Sequence, residues 1–127
     1  MSDGSSQLVE VARTEFGDAL RAVIRYRVED GIAGTSVEYV RDDVASGRNV
    51  EEYADGLSRD HTFESIETDW HERIHDAGDL QASVRVFERE ATIRLHDDVG
   101  SGYSVHVDPE RLGDLAAFVD AADRRLA

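Results

Sequence analysis

From Leu20 to Val28 the chain alternates, with Leu20, Ala22, Ile24, Tyr26 and Val28 apolar and Arg21, Val23, Arg25 and Arg27 between them. Period two is the signature of a strand, because successive side chains leave a pleated backbone on opposite faces. One face of this strand is apolar and the other cationic. Before it, Leu8, Val9, Ala12 and Phe16 fall at helical spacing, and Gly17 is placed to end that helix. The polar segment 1–6 reads as a disordered tail, leaving 7–127 as one domain. After the first strand, Glu29 to Ser36, with Gly31 and Gly34, reads as the turn, and Val37 to Arg41 as a second strand.

Asn49, with Glu52 three residues on, forms a capping-box pattern that opens a helix whose buried stripe is Val50, Tyr53, Ala54 and Leu57. Phe63, Ile66, Trp70 and Ile74 permit a second helix, or a helical turn, between Thr62 and Ala77, which Gly78 closes. Three strands follow at Leu80–Glu88, Ala91–His96 and Tyr103–Val107, with a tight link at Arg89-Glu90 and a hairpin loop from Asp97 to Gly102. Asp108 as N-cap and Pro109 as first helical residue then begin a final helix carrying Leu112, Leu115, Ala116, Val119, Ala122 and Leu126 on one side. The expected fold is α+β in the order α-β-β-α-β-β-β-α, a mainly antiparallel sheet with helices packed against it.

Composition changes what such a domain can do. All 14 basic residues are arginine, against 28 carboxylates, for a net charge of -14. Such a chain repels itself in dilute buffer, but at 1 M salt the screening length falls to about 3 Å. Arginine suits brine because its weakly hydrated guanidinium makes forked carboxylate pairs. A high-salt cytoplasm is the expected setting. With no Cys and no Lys, thiol chemistry, cysteine zinc sites, Schiff bases and lysine phosphate loops are excluded. The acidic balance argues against nucleic acid, and no apolar run is long enough to enter a membrane.

His71-Glu72-Arg73-Ile74-His75 satisfies H-E-x-x-H. On a helix His71 and His75 share a face and can hold zinc, with Glu72 beside them as general base. A longer zinc-peptidase pattern would want a third histidine where Gln81 stands, leaving His96, His106 or Glu88 as distant third ligands. The competing reading is a solvated helix end in which His71 and His75 flank buried Trp70 and Ile74. The doublets Asp42-Asp43 and Asp97-Asp98 lack the alternating ligands of a cation loop and read as surface charge.

With the apolar residues of each strand toward the helices, the opposite sheet face collects Arg21, Arg25, Arg27, Arg85 and Arg94, with Ser83, Thr92, Ser104, His96 and His106. Val23, Val40 and Phe87 add apolar anchors. Such a face fits an acidic partner or a second subunit, unless Glu38 and neighbouring carboxylates pair the arginines off across strands.

The element order resembles the roadblock and dynein-light-chain fold, a family of small proteins that dimerise and regulate GTPases or motility and signalling machinery. The strings Gly17-Asp18, Leu20-Arg21, Tyr39-Val40-Arg41-Asp42-Asp43-Val44, Gly78-Asp79-Leu80 and Val84-Arg85 resemble a family of short acidic haloarchaeal proteins. The resulting expectation is a non-enzymatic regulatory or interaction module without a cofactor. It would pair with itself and with an unidentified protein through the five arginines. The alternative is a small zinc-dependent hydrolase using His71, Glu72 and His75.

Overall fold

The computed structural model describes residues 4–29, 32–47, 49–98 and 101–113. Helix α1 spans Gly4–Phe16, so it begins inside the segment expected to be a tail. A single 3-10 turn, Gly17–Ala19, leads into strand β1, Leu20–Glu29. Gly17 has φ +55, which is why the chain can leave the helix and enter the strand within one turn.

Strand β2 runs from Ile32 to Val40, five residues earlier than the alternation from Val37 indicates, because Glu29 pairs with Ile32 and the ladder continues to Ala22–Val40. A short helix α2, Asp42–Ser46, follows; the sequence reading has no helix there. Helix α3 is continuous from Val50 to His75, so the Thr62 to His75 stretch extends the first half instead of forming a separate turn. Asn49 caps it, accepting from the backbone N–H groups of Glu51 and Glu52 at 3.0 and 3.2 Å. At the other end Asp76 adopts the left-handed conformation and its N–H reaches the Glu72 carbonyl.

Strands β3 (Ala82–Val86), β4 (Ala91–Asp98) and β5 (Ser101–Val107) complete a five-stranded antiparallel sheet in the order β2-β1-β5-β4-β3. A 3-10 turn, Pro109–Leu112, starts where the last helix was expected. Asp108 makes no side-chain cap there, its carboxylate being taken by Arg21 and Arg41 instead. The remainder of the expected helix, with Leu115, Ala116, Val119, Ala122 and Leu126, lies outside the described residues.

Helices cover both faces of the sheet. Ala12 of α1 packs with Leu20, Val23, Ala91, Val105 and Val107, with Leu8, Val9 and Phe16 at the margin. Leu57 of α3 packs on the other face against Ala22, Ile24, Tyr26 and Val37. The register break between Leu20 and Ala22 explains how Leu20 and Val23, three apart, share one core while Ala22, Ile24 and Tyr26 serve the other. Val23 is wholly buried. It is a core residue, not the exposed interface anchor expected of it.

Candidate functional site

The two-sided cover divides the five arginines. Arg25 lies on the α1 side, its guanidinium 5.5 Å from the centre of the Tyr103 ring, and Arg27 is exposed on the same strand face. Arg85 and Arg94 lie on the α3 side, with Ser83, Thr92, Ser104, His96 and His106. Arg21 sits at the bulge of β1 and turns to Glu90 and Asp108. The single cationic face inferred from alternation therefore does not exist: β1 is buried on both sides, and its odd and even positions serve different helices.

The α3 side holds the molecule's densest chemistry. Tyr53, Leu57, Asp60 and Glu64 recur at helical spacing and point at the sheet. Where an amphipathic helix would continue its apolar stripe, this one carries two carboxylates. Glu64 is 8% exposed and meets Arg94 Nη1 at 2.7 Å, Arg85 Nη2 at 3.1 Å and His96 Nε2 at 3.2 Å, while the Ser83 hydroxyl donates to it at 2.5 Å. Asp60 takes Arg85 Nη1 at 2.8 Å and Arg94 Nη2 at 3.1 Å. Arg94 also lies over the Tyr26 ring at 5.5 Å. Burial alone would raise the Glu64 carboxyl pKa, but Ser83, Arg94, Arg85 and His96 together hold it below its usual value. Asp60 is lowered against the same opposing burial by Arg85 and Arg94. Burial pushes the Tyr26 phenol up, countered by Arg94 and Ser104.

One strand along, Ser104 and His106 alternate on β5 and both are wholly buried. The Ser104 hydroxyl lies 2.6 Å from His106 Nε2, and His106 Nδ1 lies 3.2 Å from Glu90 Oε1. Tyr53 donates to the same Glu90 oxygen at 3.2 Å. Serine hydroxyl, imidazole and carboxylate thus stand in the order of a nucleophilic triad, with the Tyr53 hydroxyl also 3.1 Å from Nδ1. Burial would raise the Glu90 carboxyl pKa, yet His106, Tyr53 and Arg21 hold it down. No reacting carbonyl can reach a hydroxyl with no exposed surface, so here the triad geometry satisfies buried polar groups.

Arg21, Glu90, His106, Ser104, Tyr26, Arg94 and Glu64 thus follow one another across the sheet beneath α3. Sequence reasoning missed Asp60, Glu64 and Glu90. The usable signal was the pair of acids, Asp60 and Glu64, at the positions where the Tyr53–Leu57 stripe would continue.

At the far end of α3, the H-E-x-x-H residues do not converge. Glu72 Oε2 accepts from the Leu80 N–H at 2.5 Å, which ties the loop after the helix to its last turn. His71 Nε2 is 3.4 Å from Glu67 Oε2, and Arg73 pairs outward with Asp69. His96 and His106, considered as distant third ligands, are held by Glu64 and Glu90. Among the described residues no set of three or more His, Asp or Glu side chains is grouped to hold a metal. Trp70 and Ile74 are 55% and 61% exposed, which corrects the expectation that they are buried between the histidines. Asp43 pairs with Arg41, so the Asp42-Asp43 doublet is used in part as an ion-pair partner.

A family model described as a domain of unknown function (DUF7522) matches residues 6–127. The chain belongs to this family. No curated protein and no solved structure matches it. The DUF7522 match runs through every element from α1 to the last 3-10 turn, so Glu64, Glu90, Arg94 and His106 all fall within it. No helix among the described residues is long and apolar enough to cross a membrane.

Proposed function

We propose that the protein is a non-enzymatic interaction module of a high-salt cytoplasm that works as a homodimer joined at strand β3. The observation that carries this reading is the contrast between the two edges of the sheet. Strand β2 is the edge against which both α1 and α3 pack. Strand β3 is the other edge, and among the described residues its only strand partner is β4.

Backbone polarity fixes which groups β3 offers. The Phe87 N–H donates to the Glu90 carbonyl and the Gln81 carbonyl accepts from the His96 N–H, so residues 81, 83, 85 and 87 turn their polar groups toward β4. Ala82, Val84 and Val86 turn theirs outward. A second copy running antiparallel about Val84 would pair Val84 with its own counterpart and Ala82 with Val86. Strand β3 carries no proline and no lysine, the usual guards of an open edge.

Val84 on β3 and Phe87 just past it are 44% and 53% exposed, large apolar side chains on an open strand. Asp60 of α3 faces Arg85 of β3, which sets the helix beside this edge. Exposed apolar side chains on an open strand fit a protein partner better than solvent. The element order favours the roadblock-like regulatory role over the hydrolytic one, whose proposed base, Glu72, is engaged by Leu80.

Light scattering on the chromatographed protein in molar KCl tests this. A dimer is expected for the wild type. Val84→Pro removes an outward N–H without touching the β4 ladder, and Phe87→Ala removes an exposed apolar side chain at the end of that strand; each should shift the protein to monomer with unchanged circular dichroism. A wild-type monomer, or a dimer indifferent to both changes, would sink the reading.

A further inference from the structure

His71 and His75 stand one helical turn apart near the end of α3, with ring centres 6.5 Å apart and ring planes inclined by 33°. His71 is oriented from two sides, by the Trp70 ring edge-on at 5.3 Å and by Glu67 at 3.4 Å. Beyond them the chain doubles back. Asp76 and Gly78 both take positive φ, 47° and 92°, and the Glu72–Leu80 hydrogen bond pins the returning strand to the helix. The result is a groove of about 580 Å³ bounded by His71, Glu72, His75, Gly78, Asp79 and Gln81.

We propose that His71 and His75 form a two-point surface site for a divalent transition-metal ion of the zinc, copper and nickel class, used to hold the ion and not to hydrolyse a substrate. Imidazole nitrogens bind such an ion at about 2.0–2.1 Å, so two rings on adjacent coordination positions have centres roughly 5 Å apart. His75 is exposed and His71 half-buried, so a small rotation of either side chain closes the remaining gap. Imidazole donors select this class over magnesium and calcium, which prefer oxygen. Glu67, Glu72, Asp76 and Asp79 around the pair make a local field that attracts cations. No third protein donor joins the histidines among the described residues. The other coordination positions therefore open on the groove, to water or to a donor from outside the chain.

The site differs from the zinc-hydrolase reading of H-E-x-x-H in one respect that matters. A hydrolase would need the Glu72 carboxylate free to take a proton from metal-bound water. Here that carboxylate accepts the Leu80 N–H, so its function is to shape the groove wall. Chelation across positions 71 and 75 also locks the last turn of α3, which should make the helix end more stable when the ion is bound. Neither effect depends on self-association at β3.

Calorimetric titration of the chelator-stripped full chain with zinc chloride and with nickel chloride, in molar KCl with magnesium in large excess, decides the matter. One ion per chain is expected, with a rise in melting temperature on loading. His71→Ala and His75→Ala should each weaken binding by about tenfold or more, since one imidazole then remains. Glu72→Gln should retain the stoichiometry. Both histidines are at the surface, so the variants keep the fold, and circular dichroism verifies it. Equal uptake by the wild type and the double histidine variant would mean diffuse binding to the acidic surface and would overturn the proposal, as would no uptake at all.

Discussion

Glu64 on α3 and Arg94 on β4 meet at 2.7 Å with only 9% and 5% of their side chains exposed. A buried ion pair of this kind contributes little net stability relative to a well-packed apolar pair, yet losing one member leaves a charge stranded. Glu64→Ala should therefore destabilise the fold by about 3 kcal/mol or more, with Asp60 compensating only in part, whereas the joint change Glu64→Leu with Arg94→Met should recover most of the loss. Denaturant titrations in molar KCl measure both.

Acid should unfold the protein through the same groups. Glu64, Asp60, Glu90 and Asp108 all have folded-state pKa values below the usual carboxylate range. A carboxyl whose folded value is depressed adds stability above its unfolded value, roughly 4, and forfeits it as pH falls through the folded value. Stability should hold level down to about pH 5 and fall steeply below pH 4. Glu64→Gln should flatten that fall. Unfolding free energies from pH 7 to pH 3 would show a slope indifferent to the substitution if this account is wrong.

The buried hydroxyl–imidazole pair gives a third expectation. Ser104→Ala removes the group facing His106 Nε2 and leaves a buried nitrogen unsatisfied, at a cost of about 1–3 kcal/mol. Esterase activity with an activated ester should be absent from wild type and variant alike, because neither Ser104 nor His106 has exposed surface.

Gly102 supplies a test of the sheet itself. It is buried opposite His96, and a Cβ there would run into the Leu95 carbonyl oxygen. Gly102→Ala should cost about 1–3 kcal/mol as an overpacking change, readable as a lower melting temperature. A neutral result would mean that β4 and β5 can separate locally at that point.

Much of this fold was legible as pattern. Period two at Leu20–Tyr26, the Asn49 cap and the order of elements all act locally, so the sequence states them directly. What it could not state was which helix covers which face. Alternation assigns Arg25 and Arg94 to one side only if every strand keeps register, and the bulge at Leu20–Ala22 and helices on both faces break that condition. The acidic partners were hidden for a related reason: Asp60 and Glu64 look like ordinary surface acids in a chain with 28 carboxylates until the arginines beneath them are located.

Salt should separate these layers. Exposed carboxylates repel one another over distances that molar salt screens, whereas the charges beneath α3 sit at contact distance away from solvent. Lowering KCl from molar to about 0.1 M should reduce the melting temperature steadily. A variant with several exposed acids neutralised, such as Glu51→Gln, Glu52→Gln and Asp55→Asn, should lose much of that dependence.

The sheet order places the first strand beside the last, with Leu20 against Val107 and Tyr26 against Gly102. The hairpins β1–β2 and β4–β5 can each close early from neighbouring sequence, but the seam between them joins residues from nearly opposite ends of the chain. During synthesis β1 must wait, one flank unpaired, until β5 has left the ribosome. A chain truncated before Ser101 would lack the centre of its sheet and not merely its last strand, so the protein has no stable half.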